Sequence, residues 1–457
     1  MDILLVSPPV TLEERLTERR KAVRHAFPPM GPLHLAAVAR QRGYRIAILD
    51  AVALGLTIKE TVERILQASP RYLGFYSVTM NIHRVADIAL QVKVQVPQVT
   101  VLLGGPHITA LPRETMELFP QIDMGVYGEG ERTLMELLEA LDRRASVEDL
   151  ARIPGLVLRR DGRAFLTPRR PYISHLEELP LPAWDLLPSV AESYTPSPHN
   201  YSRLPATSMS TSRGCPFQCI YCDRAMWGRK WRGFSPQYVV SHMKHLHQTY
   251  GIKDINIRDD HFMVNKKWLR EVCDLLKEEK LDLVWSTWGR ADAATPEVLR
   301  WMREAGCWQI TYGMESGCQE ILDFMKRHMS VEDMERGVRM TKEAGMSIKG
   351  LFIAGCPLET KDTLARTVDF IHRLPFDFFS FSHFTPLPNT EIYPVAHQYG
   401  SFQDDWRQMS LMHPVFVPHG LDREYLEEFV KAMNEEGQGK GSPPGVEPST
   451  LETWGRG

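Results

Sequence analysis

The sequence predicts two α/β domains in series: an N-terminal doubly wound parallel sheet, then a partial parallel βα barrel of about six strands. Three observations predict it. Short apolar runs alternate with amphipathic stretches over residues 1–142, and again over about 204–400. A Pro-rich stretch separates the two series. The 457 residues also exceed the roughly 250–300 at which a single core stops growing.

In the first series, DILLV, YRIAILD, YLGFYSV, TVLLGG and IDMGV are short β-branched or apolar strands. Between them, GPLHLAAVARQRG, IKETVERILQAS, HRVADIALQVKVQ and RETMELF carry apolar residues at three- and four-residue spacing, as helices packed on a sheet do. Ligands of such a sheet bind beyond the carboxyl ends of its strands. Residues 143–203 read as a hairpin followed by a linker. Asp161-Gly162 between IPGLVLRR and RAFLTPRR suits a primed turn, and ELPLPAWDLLPSVAESYTPSPHN is rich in proline.

The second series runs from ATSMST through DINIRDD, LVWSTWG, WQITYGMES and SIKGLFIAG to DFFSFSHF, with helical stretches between, so its active site is expected at the strand carboxyl ends. Residues 401–457 are expected to cap the barrel mouth and to end in a Gly/Pro/Ser-rich frayed tail, GQGKGSPPGVEPSTLETWGRG.

Hydrophobic content of 43% with 24% charged residues excludes disordered and fibrous classes. Lys+Arg 54 against Asp+Glu 57 leaves a formal charge of −3, which disfavours broad capture of nucleic acid or an anionic membrane and favours a small-molecule or lipid-like substrate. No leader pattern and no apolar run of about 20 residues is visible, so a cytoplasmic protein without a transmembrane segment is expected.

The seven cysteines are unevenly placed. None precedes Cys215, and Cys215, Cys219 and Cys222 crowd into SRGCPFQCIYCDR, directly after the first strand of the second series. Three thiolates on one loop suit metal chemistry. Thiolate preference alone admits zinc or an iron–sulfur cluster. A structural zinc site would want a fourth ligand, which is not evident, whereas a cluster with three protein ligands keeps one iron open.

This CxxxCxxC loop resembles the signature of the radical S-adenosylmethionine (SAM) superfamily, and residues 1–400 are similar to its cobalamin-binding branch. The resemblance implies a flavodoxin-like, cobalamin-binding domain followed by a radical SAM partial (β/α)6 barrel. It further implies a 4Fe-4S cluster on Cys215, Cys219 and Cys222, whose open iron chelates SAM, and one-electron cleavage of SAM to methionine and a 5′-deoxyadenosyl radical. The electron would come from a donor such as flavodoxin or ferredoxin.

By the same resemblance, Tyr221 would pack near adenine, Asp260 beside Asp259 would meet ribose or substrate, and Glu315 in GMESG would contact SAM. Arg290 in WGRAD would pair with the SAM carboxylate in a bidentate manner, and Ile353 in GLFIAGCPLET would line adenine. Three have plainer alternatives: loop packing for Tyr221, a helix cap for Asp259-Asp260 and a surface ion pair for Arg290. Cys356 reads as a packed small hydrophobe.

For cobalamin, the implied residues are Asp50, Ser77, Thr79, Gly104, Gly105, Glu129 and Gly130, although glycine-rich turns also serve packing alone. The familiar Asp-x-His-x-x-Gly loop is here Asp50-Ala51-Val52-Ala53-Leu54-Gly55, with Val52 where the cobalt-ligating histidine stands. His34 and His107 are weaker stand-ins. Methyl transfer to an unactivated carbon is the expected outcome. Cyclisation, ring contraction or C–C bond formation, a scaffold domain without corrin, and a non-catalytic metal-stabilised binding protein are its rivals.

Overall fold

The computed structural model describes residues 1–9 and 27–439, so most of the expected C-terminal tail lies outside the described residues. The chain divides into two compact units. One comprises Met1–Ser193 and Asp223–Gly228, the other Tyr194–Cys222 and the residues from Arg229 onward.

In the first unit the strands are β1 (Ile3–Ser7), β2 (Ile46–Asp50), β3 (Tyr72–Tyr76), β4 (Thr100–Gly104), β5 (Met124–Val126), β6 (Leu156–Arg160) and β7 (Arg163–Leu166). They form one sheet in the order β2-β1-β3-β4-β5-β6-β7. The first five are parallel. Strand order reverses between β1 and β3, and ligands of open α/β sheets bind at such a switch point. Helices Met30–Gln41, Ile58–Ala68, Ile82–Gln95 and Gly130–Asp142 bury apolar stripes on the sheet. The hairpin turn takes the expected primed form, with φ 50° at Asp161 and 77° at Gly162. Its strands belong to this sheet: β6 pairs antiparallel with β5 and carries the sheet past residue 142.

The second unit holds β8 (Ala206–Met209), the short β9 (Ser212–Arg213) and β10 (Arg232–Gly233), then β11 (Asp254–Ile257), β12 (Val284–Gly289), β13 (Cys307–Glu315), β14 (Ser347–Ala354) and β15 (Phe378–His383). Six of these form one parallel sheet in the order β15-β14-β13-β12-β11-β8. It is the expected partial barrel, each strand laid beside its predecessor with a helix between.

Its two faces differ. On one, Ile255, Ile257, Ile310, Ile348 and Phe352 are fully buried. On the other, Ser208, Asn256, Ser286, Gln309 and Ser347 stand side by side in register across five strands. Asn256 Nδ2 donates to Ser286 Oγ at 2.8 Å, while Ser208 Oγ, Asn256 Oδ1 and Gln309 Oε1 are buried with no partner among the described residues.

Two short strands, β16 (Gly400–Phe402) and β17 (Phe416–Pro418), precede the last helix, Arg423–Gly439. That helix covers the edge of β15, and near its start Leu426 stands beside Gly355 in the turn after β14. Asn434 accepts from the Phe381 amide at 2.8 Å and donates to its carbonyl at 3.0 Å, taking the place of a further strand beside β15. The segment before it does reach the carboxyl end of β15, where the Leu411 carbonyl accepts from His383.

Two predictions follow from this packing. A Cβ at Gly337 would stand 2.2 Å from the Ala291 carbonyl oxygen, so Gly337→Ala should cost about 2 kcal/mol by overpacking, read as a lowered urea midpoint. Asp254 accepts from the Ser202 amide at 2.6 Å and from Trp308 Nε1 at 3.3 Å. Burial raises its carboxyl from 3.8 to about 7. Between those values the folded chain keeps a proton that the unfolded chain has released, so stability falls as pH rises from about 4 to 7. Asp254→Asn should flatten that decline in midpoints measured across the range.

Candidate functional site

The cysteine loop leaves the carboxyl end of β8 and is gathered at its base by the β9–β10 pair, Ser212 opposite Gly233 and Arg213 opposite Arg232. Asp259, just past β11, fixes this base. It accepts from the Thr211 amide and the Ser212 hydroxyl, both at 2.6 Å, and from the Thr211 hydroxyl. Burial raises its carboxyl to about 6, against the pull of those donors. Asp259 is thus a brace for the loop, while its neighbour Asp260 is exposed and keeps its place at the strand end.

Along the loop Cys215 is half-buried, Cys219 buried and Cys222 exposed. The Ile220 amide between them donates to the Met325 carbonyl at 3.1 Å, and the Ile220 carbonyl accepts from Ile392 at 3.3 Å. Burial pushes the Cys215 thiol up, so a bound cation's charge would be what deprotonates it. Among the described residues no three His, Cys, Asp or Glu side chains converge on a single-ion site. A lone zinc ion needs its ligands about 2.3 Å from one point. An iron–sulfur cluster takes each thiolate on a different iron, and this thiol-only set fits it better.

Two arginines order the space beside the loop. The Arg290 guanidinium carbon lies 3.8 Å from the centre of the Phe217 ring, between the first two cysteines. Arg290 Nε and Nη2 grip Asp292 at 3.0 and 2.7 Å, and Nη1 and Nη2 donate to the carbonyls of Arg327 at 2.9 Å and His328 at 3.1 Å. The paired Nε and Nη2 face, which the sequence reading assigned to the SAM carboxylate, binds Asp292 in this structure, and Arg290 braces the turn at Arg327 and His328.

Arg327 is the residue that sequence reasoning missed. It is buried, its Nη1 donates to Cys219 Sγ at 3.6 Å, Nη2 donates to the Gly313 carbonyl, and Nη2 lies 3.4 Å from Glu315 Oε1. Burial alone would lower its pKa, but the neighbouring Tyr221, Glu315 and Cys219 outweigh burial and hold it above the ordinary range. No spacing rule could have found it, because it stands 108 residues from Cys219.

Glu315 itself ends β13 with φ 66°, a left-handed conformation unusual for a residue with a side chain, and strain of this kind gathers at functional sites. Tyr221 lies near Phe384, ring centres 6.4 Å apart, and burial raises its hydroxyl pKa well above the usual value. Ile353 lies on the less buried face of β14, together with Ser347, Lys349 and Leu351. The turn after it is folded around the buried Glu359, which accepts from the Gly355 and Cys356 amides. Cys356 is packed against Met325, with Sγ to Sδ 3.5 Å.

In the first unit the candidates gather at the strand carboxyl ends, and several have clear structural duties. Asp50 caps the short helix Ala51–Leu54 through the Val52 and Ala53 amides, at 3.1 and 3.2 Å. Val52 lies half-buried within that helix. Ser77, fully buried, donates to Asn81 Oδ1 at 3.1 Å. Thr79 Oγ1 lies 3.2 Å from His107 Nδ1, and burial lowers the His107 pKa to about 3. His34 is also buried. Glu129 accepts from the Ile173 amide at 2.6 Å, and Gly130 makes room for Leu35, which a Cβ would meet at 3.2 Å.

The two adjacent glycines differ. Gly105, at φ 108°, would drive a Cβ to 2.6 Å from the Ser77 carbonyl oxygen, so packing explains it. At Gly104 a Cβ would meet one atom within 4 Å, the Val126 carbonyl oxygen at 3.9 Å. Packing among the described residues does not demand that glycine. It keeps space open at the end of β4, and that is a cradle a bulky ligand can use.

The sequence pattern of the radical SAM superfamily matches residues 209–371, and that of the B12 binding domain matches residues 20–138. An uncharacterized methyltransferase of Pyrococcus horikoshii is 32% identical over 434 residues, covering 94% of this chain and 91% of its own length. The anaerobic magnesium-protoporphyrin IX monomethyl ester cyclase of Rubrivivax gelatinosus is 27% identical over 403 residues, covering 87% and 71%. Among solved structures, the radical SAM methyltransferase TsrM from Kitasatospora setae, with cobalamin and a 4Fe-4S cluster bound, shares the fold at TM-score 0.69 and 20% identity, covering 87% of this chain and 78% of its own. No helix among the described residues is long and apolar enough to cross a membrane. The chain belongs to the radical SAM enzymes that carry a B12-binding domain.

Proposed function

We propose that this enzyme is a cobalamin-dependent radical SAM methyltransferase that modifies an unactivated carbon of a small molecule. The observation that carries the radical part is the cysteine loop at the carboxyl end of a six-stranded open barrel, with buried Cys219 facing the Arg327–Glu315 pair. The methyl outcome rests on the 32% identical relative named a methyltransferase.

Cys215, Cys219 and Cys222 would hold the cluster, which with SAM and cobalamin bound supplies an electron for sulfonium cleavage and a carrier for the methyl group. The chain's own part is positional. Asp259 and the Ile220 backbone fix the loop. Glu315, held at the end of β13, offers a carboxylate acceptor to the SAM amino group. Tyr221 and Ile353 supply apolar surface for adenine, and exposed Asp260 offers acceptors to ribose hydroxyls.

In the first unit Gly104 keeps the cradle open, while Asp50, Ser77, Thr79, Gly105, Glu129 and Gly130 shape its rim. Val52 in place of histidine leaves the lower corrin face without a protein base from that loop. The polar row from Ser208 to Ser347 favours a substrate that hydrogen-bonds over a lipid tail. A flavodoxin- or ferredoxin-type donor in a reducing cytoplasm would supply the electron. Oxidative cyclisation is the second reading, favoured by the 27% identical cyclase.

The deciding experiment is anaerobic reconstitution with iron and sulfide, then cobalamin, then SAM, reading iron content, corrin spectrum, 5′-deoxyadenosine and transfer of isotope from the SAM methyl group. SAM cleavage without corrin binding sinks the methyltransferase reading. Cys219→Ala should abolish 5′-deoxyadenosine formation, and retention of full cleavage would remove the cluster assignment. Gly104→Val should weaken cobalamin binding at least about tenfold, roughly 1.4 kcal/mol, while leaving the unfolding midpoint of the chain nearly unchanged.

A further inference from the structure

The turn that presents Arg327 is strained on both sides. Lys326 and His328 adopt φ 53° and 47°, left-handed values that cost energy for residues with side chains. The strain is held in place: Arg290 binds the carbonyls of Arg327 and His328 at 2.9 and 3.1 Å, and Met325, just before, accepts from Ile220 in the cysteine loop at 3.1 Å. The turn and the loop are therefore tied together at the point where the guanidinium meets a sulfur.

A buried arginine usually offers its fork to carboxylates. This one gives Nη1 to Cys219 Sγ at 3.6 Å, and its Nε–H is buried without an acceptor among the described residues. Glu315 Oε1, at 3.4 Å from Nη2, offsets part of its charge. Resting on the cluster reading above, we infer that Arg327 is a positioning residue that sets the reduction potential of the cluster through Cys219, with Glu315 acting in the opposite sense.

The physical basis is the sign of the charge change. Reduction adds one electron, taken from the donor protein, and breaks no bond. A fixed positive charge at a ligand sulfur, with an N–H aimed at it in a water-poor site, stabilises the more negative reduced form more than the oxidised one. The guanidinium stays charged throughout and moves no proton. Removing it must lower the potential, and removing the Glu315 charge must raise it. A bracing role through the Gly313 carbonyl alone would move neither.

The test is a spectroelectrochemical midpoint of the reconstituted full chain, without SAM, followed by electron paramagnetic resonance of the reduced cluster, with iron and sulfide counted on each sample. Arg327→Met is expected to lower the reduced-to-oxidised ratio at fixed potential at least tenfold, about 59 mV for a one-electron couple. Arg327→Lys, which keeps the charge, should fall between it and the parent, and Glu315→Gln should shift the midpoint upward. If Arg327→Met does not retain iron, Glu315→Gln decides: a midpoint unchanged or lowered overturns the inference. Full iron content with coincident midpoints in parent and Arg327→Met also overturns it, while leaving the cluster reading intact. A parent chain that takes up no iron overturns the cluster reading and this inference with it.

Discussion

At the mouth of the second unit one ion pair, the buried Arg290 with the exposed Asp292, carries much of the local architecture. A guanidinium taken out of water must have its donors met, and this one meets them with one carboxylate, two carbonyls and an aromatic face. By doing so it holds the strained turn around Arg327 on one side and Phe217 of the cysteine loop on the other. Asp259 anchors the same loop from below, through the residues that precede its first cysteine. The cysteines need no regular structure of their own, because rigid neighbours fix both ends of the loop.

The barrel supplies the complementary condition. One face of the sheet is sealed by helices and the other carries a row of hydroxyls and amides in register. A polar inner face next to a thiol-rich loop suits chemistry in which a small molecule is held by hydrogen bonds while one bond is exposed to attack. The first unit offers a different kind of site. There the strand order turns at β1 and β3, and Gly104 leaves room that its neighbour Gly105 cannot, since packing against Ser77 already claims that position. Two adjacent glycines thus have different physical origins, one in the backbone and one in the space above it.

The strands, the helices between them and the primed turn at Asp161-Gly162 were legible because each is written in local spacing: period-two or continuous apolar runs for strands, three- and four-residue repeats for helices. The cysteine array was legible for the same reason, with three thiols inside eight residues. What local spacing could not show was partnership. The hairpin was legible as a hairpin but was set outside the first domain, because nothing in its own residues says that it pairs with β5. The C-terminal helix looked like a lid because periodicity reveals an apolar stripe but not the edge of β15 that it covers through Asn434.

The same division runs through the site. From sequence alone came the thiol loop, the acids and glycines at strand ends, and the departure at Val52. The tertiary structure alone decided which charges are spent on the chain itself: Arg290 on Asp292, Asp259 on Thr211 and Ser212, Glu129 on Ile173. It also brought in Arg327, separated from Cys219 by 108 positions along the chain. The reason is physical. A motif encodes which chemical groups a short loop can offer, whereas the partner of a buried charge is chosen by whichever distant segment the fold delivers to within hydrogen-bonding distance.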